Sequence, residues 1–204
     1  HIHLFVSRNK VFDRDNVLQE TIIIKLKKSY DRPNHITITT TQNNKDFSKR
    51  TIFKAPYNTV ISGEEAYVYL VTHEDDVAIL EKVDKLSHTL PSIGLKMRTG
   101  LTVDFRHKDE LRDNKEHGAV PLFYPQHIQS GKILFPMGKA KEYIVTDKTS
   151  LLQNNSNYLF VKRFTTKEER RRLQCGVYLS KVFPCYEKIS TQNKINFIGG
   201  DTDL

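Results

Sequence analysis

Two short tracts of β-branched residues most constrain what this chain can fold into. ETIIIKLKK (20–28) is a run of isoleucines that turns polar at its end, and HITITTT (35–41) alternates Ile and Thr. β-branched side chains suit a pleated surface, and a period of two places them on alternate faces. Between the tracts lie Asp31, Pro33 and Asn34, a turn signature. The pattern predicts a hairpin. Two strands alone are marginal in water, so the hairpin must pack on something else.

The polar stretch QNNKDFSKR (42–50) reads as a loop. Pro56, Asn58 and Ser62-Gly63 then suggest a boundary near residue 60, dividing the chain into 1–60 and 61–204. YVYLV (67–71) reads as a short strand. From Asp75 the apolar residues Val77, Leu80, Val83 and Leu86 recur three apart, which predicts a helix capped by Asp75 or Asp76 and ended by Pro91. Further strands are expected at 101–106, 119–124, 157–164 and 175–183. A short helix should follow Thr165 or Thr166. Glu168 or Glu169 would complete its capping box, and Arg170, Arg171 and Arg172 would sit at its negative C-terminal end. The sum is an α+β fold with mixed, mostly antiparallel sheets and a few short helices.

Charge narrows the choice of partner. The 204 residues carry a net charge of +8, which favours an anionic partner, nucleic acid being the commonest. The charge is uneven: residues 1–60 hold 11 Lys/Arg against 5 Asp/Glu, and residues 158–173 hold 6 against 2. No apolar run approaches the length of a membrane span. Two cysteines, Cys175 and Cys185, fit free thiols in a reducing cytoplasm better than a disulfide framework. The eight histidines are scattered without zinc spacing, so no metal site is expected. His1 and His3 could share one strand face.

Catalytic motifs are missing from the string. There is no phosphate loop, no Gly-x-Ser-x-Gly and no Gly-rich turn between a strand and a helix. Phe197-Ile198-Gly199-Gly200-Asp201 has two glycines, but too little chain follows for a helix.

Four segments in order, HIHLFVSRNKVFDRDNVLQETIIIKLKK (1–28), GLKMRTGLTVDFR (94–106), AVPLFYPQHIQSGKI (119–133) and NYLFVKRFTTKEERRRL (157–173), carry a family resemblance. The chain resembles the DNA adenine-N6 methyltransferases of Type II restriction–modification systems, from the end of the catalytic domain through the target-recognition region. With His1 in place of an initiator Met and a terminal TDL, we expect a piece of a longer enzyme. The resemblance implies that residues 1–60 are the last hairpin of the methyltransferase domain with a linker, and that 61–204 read DNA. It implies a parent that transfers methyl from S-adenosylmethionine to adenine N6, with or without a fused endonuclease. The family's (Asp/Asn)-Pro-Pro-(Tyr/Phe) tetrapeptide is absent; the nearest string is Ala55-Pro56-Tyr57. We therefore expect no catalysis and no cofactor binding by this chain itself. Its expected partners are double-stranded DNA and the remainder of its own methyltransferase domain. A non-enzymatic specificity subunit of a multi-subunit restriction–modification complex is the alternative reading.

The resemblance also places site residues. Phe12, in the loop Val11-Phe12-Asp13-Arg14-Asp15-Asn16-Val17, stands where relatives stack an aromatic on the flipped target adenine. An ordinary packed Phe fits the pattern equally well. Lys10 and Arg14 flank it as phosphate contacts. Physical reading adds the rest. Arg98 and Thr99 precede Gly100 in an expected turn, from which Arg98 could reach guanine O6 and N7. Arg106, Lys108 and Arg112 follow an expected strand. Tyr124, Gln126 and His127 offer a ring, an amide and an imidazole. Lys162, Arg163, Lys167, Arg170, Arg171 and Arg172 form the densest basic stretch, suited to phosphate or simply to a solvated surface.

Overall fold

The structure is a computed structural model that describes residues 1–12, 19–63, 65–166 and 169–200. It divides into two compact units, His1–Ser87 and His88–Leu204. Its sheets are mixed but mostly antiparallel, and helices are few and short, an α+β fold as expected.

In the first unit, β1 (Ile2–Phe5), β2 (Thr21–Ile24), β3 (His35–Thr41) and β4 (Thr51–Pro56) form one sheet in the order β2-β1-β3-β4. The expected hairpin between 20–28 and 35–41 does not form. β1 lies between its two arms, antiparallel to β2 and parallel to β3. That position explains why a four-residue IHLF strand is almost wholly buried. The hairpin partner of β3 is instead β4, whose terminal Pro56 is tolerated at a sheet margin. His1 and His3 do share a face. His3 bonds the Thr39 and Thr41 hydroxyls at 2.8 and 3.1 Å, and His1 bonds Thr39 at 3.1 Å. Burial pushes the His3 imidazole below its ordinary pKa.

A one-turn helix α1 (Tyr57–Val60) and a small ribbon of β5 (Ile61–Ser62) with β6 (Tyr67–Val68) lead to α2 (Glu74–Asp84). The cap of α2 is His73 rather than Asp75 or Asp76. The Asp76 carboxylate accepts the backbone N–H groups of Thr72 and His73 at 2.8 and 3.2 Å. Those bonds, Thr72 first, hold its pKa below the usual carboxylate range. Val60, Val71, Val77 and Leu80 join Ile2, Ile38 and Ala55 in one aliphatic core. The compact unit therefore runs on to Ser87.

The second unit opens with β7 (Leu95–Thr99), β8 (Leu111–Arg112), β9 (Val120–Phe123), β10 (Ile128–Gln129), β11 (Gly131–Ile133) and β12 (Tyr143–Ile144). It closes with β13 (Gln153–Asn154), β14 (Tyr158–Lys162), β15 (Cys175–Tyr178), β16 (Lys188–Thr191) and β17 (Ile195–Gly200). One sheet has the order β10-β11-β15-β14-β17-β7 and the other β13-β16-β9-β12-β8. Strand alternation splits the core at β9. Leu122 joins Leu111, Ile144 and Leu151, while Phe123 joins Phe160, Tyr178, Phe183 and Phe197. Phe123 meets Phe160 and Tyr178 across the two sheets at 5.5 and 5.2 Å between ring centroids.

Three expectations here are corrected. The segment 101–106 is not a strand: Thr102 makes a single bridge to Gln192, and Asp104–Arg106 is a 3-10 turn. The strand comes earlier, at β7, and Gly100 ends it. A Cβ on Gly100 would lie 2.1 Å from the Gln192 carbonyl oxygen, so only glycine lets the chain cross there. The segment 175–183 is strand only to Tyr178, and Ser180–Val182 is a 3-10 turn. The late helix is absent among the described residues 165, 166 and 169–174. One arm of its capping box survives on a turn, with the Thr166 N–H donating to Glu169 Oε1 at 3.0 Å.

Candidate nucleic-acid interface

The predicted DNA-binding residues sort by what already holds them. Arg98 and Thr99 lie on β7, an edge strand, rather than in a turn. Arg98 is in register with Phe197 and so shares its face, at the sheet margin. There it lines a cleft of about 430 Å³ together with Gln153, Asn154, Ser156, Tyr158 and Phe197. The Thr99 hydroxyl donates to Asn196 Oδ1 at 3.3 Å.

Several basic groups are engaged within the chain. Arg112 is half-buried, pairs with Glu116 at 2.6 Å and donates to the Asp109 and Leu111 carbonyls. It braces a turn. Lys162 Nζ donates to Gln174 Oε1 at 2.6 Å. Arg163 donates to the Asn193 carbonyl at 3.3 Å and lies over the Phe164 ring. Arg106 stands over the exposed Phe105 ring. Lys108, Gln126, Arg170, Arg171 and Arg172 are exposed. Lys167 lies outside the described residues.

Tyr124 and His127 are corrected by burial. Both are core residues and present nothing to a duplex. The His127 Nδ1 accepts the Tyr124 backbone N–H at 2.8 Å, so the ring proton sits on Nε2 and is donated to Glu142 Oε1 at 2.7 Å. Burial, opposed by Glu142, holds the imidazole below its ordinary pKa and therefore neutral. Burial alone would raise Glu142, but hydrogen bonds from His127 and from the Met137 backbone outweigh it and keep the carboxyl below its usual range. The Gly138 N–H adds a further donor at 3.1 Å. A buried carboxylate with a neutral imidazole thus pins residues 124–142. Lys139 Nζ lies 3.6 Å from the Tyr124 ring centroid, and burial pushes the Tyr124 phenol pKa far up. His127 had no partner at a telling spacing in the sequence; Glu142 lies fifteen residues on.

In the first unit, Lys10 is exposed and Phe12 is 41% exposed. An exposed ring is available for contact rather than packed in the core. Of the loop 11–17 only Val11 and Phe12 are described, and Arg14 lies outside the described residues. Among the described residues no three His, Cys, Asp or Glu side chains gather as a metal site, and no helix is long and apolar enough to cross a membrane.

The chain is similar to two known enzymes along nearly all its length. It is 33% identical to the Type II methyltransferase M.PstI of Providencia stuartii over 202 residues, which cover 96% of this chain and 39% of that protein. It is 35% identical to the Type II methyltransferase M.BsuBI of Bacillus subtilis over 183 residues, 87% of this chain and 36% of that protein. The chain thus spans under two fifths of the length of these curated relatives. No family model and no solved structure matches it. The similarity relates the chain to the methyltransferases of Type II restriction–modification systems.

Proposed function

We propose that this relative of Type II methyltransferases is the DNA-recognition part of a site-specific DNA adenine-N6 methyltransferase. Its parent would transfer methyl from S-adenosylmethionine to adenine N6. The observation that carries the reading is the similarity to M.PstI over 96% of the chain. The first unit is read as the end of the catalytic domain and the second as the target-recognition region. Three features support this division. β2 exposes Ile22, Ile23 and Ile24 in succession, on both faces of the sheet, as a strand does when further polypeptide covers it. Phe12 is an exposed aromatic beside Lys10, suited to stacking on a flipped base. The second unit presents Arg98, Arg106, Lys108 and Arg170–172 on its surface, a set able to meet phosphates and base edges.

In this reading the chain binds duplex DNA but not S-adenosylmethionine, because neither the acidic or amide residue before Pro-Pro nor a Gly-rich cofactor turn is in its sequence. Fluorescence anisotropy with labelled duplex should give affinity that falls with salt. Replacing Arg170, Arg171 and Arg172 with Ala should weaken every duplex alike and lower the salt slope by roughly 0.9 per lost phosphate contact. An unchanged slope would return the three arginines to ordinary solvated surface. Calorimetric titration that found micromolar S-adenosylmethionine binding would overturn the division of labour.

A further inference from the structure

Four strand ends meet at one end of the six-stranded sheet. β14 leaves there and β15 enters, since Val161 pairs with Cys175. β17 enters beside them, with Lys162 opposite Ile195, and β7 leaves, with Thr99 opposite Asn196. Three connecting segments therefore share this end: 100–109, the hairpin connection 163–174 and the turn 192–194. Asn193 ties the first two to the turn. Its N–H donates to the Thr102 carbonyl at 2.8 Å, and its carbonyl accepts the Arg163 guanidinium at 3.3 Å.

Two of these segments carry a bare ring with an arginine over it. Phe105 is 66% and Phe164 62% exposed, and neither joins a core cluster. Arg106 lies 5.6 Å from the Phe105 centroid and Arg163 lies 5.1 Å from that of Phe164. An arginine resting on a ring has less freedom to lose when its N–H groups take a phosphate. Arg163 spends one nitrogen on Asn193 and keeps further donors. Among the described residues of the three segments stand five arginines and two lysines against Asp104, Asp109 and Glu169. Glu169 is itself taken up by the Thr166 N–H and the Gln174 amide.

A cationic surface that also bares rings suits a partner with regular negative charge and flat apolar faces. Nucleic acid offers both, in its phosphates and its bases. In a duplex the base faces are hidden in the stack, and an apolar side chain reaches them by wedging a base step open. We propose that Phe105 and Phe164 are wedges that open the stack of duplex DNA, with Arg106 and Arg163 on the phosphates beside them. The proposal rests on the DNA-recognition reading above and adds to it a deformation of the duplex.

The test uses the full 204-residue chain. Anisotropy is measured on a fully paired duplex, on the same duplex with one central mismatch, and on one of its strands alone. A mismatch has already lost part of its stacking, so a wedge enters it at lower cost. The mismatched duplex should bind about tenfold more tightly than the paired one. Exchanging both rings, Phe105→Ser with Phe164→Ser, should bring the two duplexes level and leave the salt slope unchanged. Arg106→Gln with Arg163→Gln should do the reverse, keeping the preference and lowering the slope by roughly 0.9 per lost phosphate contact. Both rings are exposed, so the melting temperature should hold. Should the double exchange fold poorly, each single exchange narrows the preference by itself. Equal binding of the two duplexes by the unaltered chain, or a preference that survives the loss of both rings, overturns the wedges and leaves DNA recognition standing. Tighter binding of the single strand than of either duplex also overturns the duplex wedge. A dimer in sedimentation that the ring exchange dissolves overturns it in favour of a second copy of the chain. Failure to bind any of the three probes overturns the wedges and the DNA reading together.

Discussion

In His1–Ser87 the hydrophobic core is aliphatic, Ile2, Ile38, Ala55, Val60 and Val71, and three consecutive isoleucines of β2 stand 41, 53 and 45% exposed. In His88–Leu204 the two sheets close on stacked and edge-on rings, Phe123, Phe160, Tyr178, Phe183 and Phe197, with a buried His127–Glu142 pair at their margin. Aromatic side chains bury large areas each, so a few rings join the two sheets of the second unit. Strand β2 presents apolar side chains on both faces, which water disfavours and a covering layer would favour. The contrast is between a core of packed rings and an aliphatic core beside an edge strand whose isoleucines are exposed on both faces.

The sharpest way to break the contrast is to remove the polar pin of the second unit. His127→Ala strands the Glu142 carboxylate without its imidazole donor and the Tyr124 N–H without its acceptor. Leaving a buried carboxylate charge without its partner costs about 3–5 kcal/mol. Amide exchange should accelerate in β9 and β12 while β1 and β3 keep their protection. Equal acceleration in both units would show that their cores are not separate.

Acid acts at the same place more gently, because protonating His127 Nδ1 takes the acceptor from the Tyr124 N–H and leaves the side chains in place. The folded pKa of His127 lies below its ordinary value, so its contribution is complete above about pH 6.5 and is lost as pH falls from there. The folded pKa of Glu142 is also depressed, so its contribution holds above the ordinary carboxylate range and goes as pH falls through the folded value. Both losses have the same sign. The melting temperature of the second unit should therefore drop on acidification from neutral pH, and His127→Gln should remove the earlier part of the drop. A unit that melts at the same temperature at pH 7 and pH 5 contradicts the assigned protonation.

Gly100→Ala comes next in size. The added methyl meets the Gln192 carbonyl at a distance no real contact shows, and the backbone must shift where β7 leaves its sheet. Overpacking of this kind costs about 1–3 kcal/mol. Denaturant midpoints should fall with little change in slope, and Thr102 should lose its bridge to Gln192.

The sequence patterns read well where local periodicity governs. α2 forms where the apolar spacing predicts it, with its cap two residues before the nearer expected one, and β9 and β14 fall inside the tracts that predict them. They mislead where a distant strand intervenes. Nothing in 20–41 announces that β1 will separate β2 from β3, because pairing partners carry no local mark. The strand expected at 101–106 fails for a related reason: its apolar alternation is real, but the contact at Gln192 forces a crossing at Gly100. Among the residues that line the cleft, Arg98 stands out in the sequence by residue type, whereas Gln153 and Tyr158 carry no local mark. They meet only where two sheets come together. Tyr124 and His127 suggest recognition by residue type, yet both side chains are buried.

The smallest expected effect sharpens the comparison from the other side. Ile23 of β2 pairs with His3 of β1 and stands 53% exposed. Ile23→Thr keeps the branched Cβ that a strand prefers and removes apolar surface already facing water. In this chain the change should shift stability by no more than about 0.5 kcal/mol. In a longer polypeptide that carries the rest of the proposed methyltransferase domain, the same hydroxyl would be buried against apolar neighbours, at a cost of about 1–3 kcal/mol. Urea midpoints of the two proteins, each with and without the substitution, decide the matter. A matching small effect in both would mean that nothing covers this face of β2. A large effect in the short chain alone would mean that this face is already packed within the unit, against the exposure seen here.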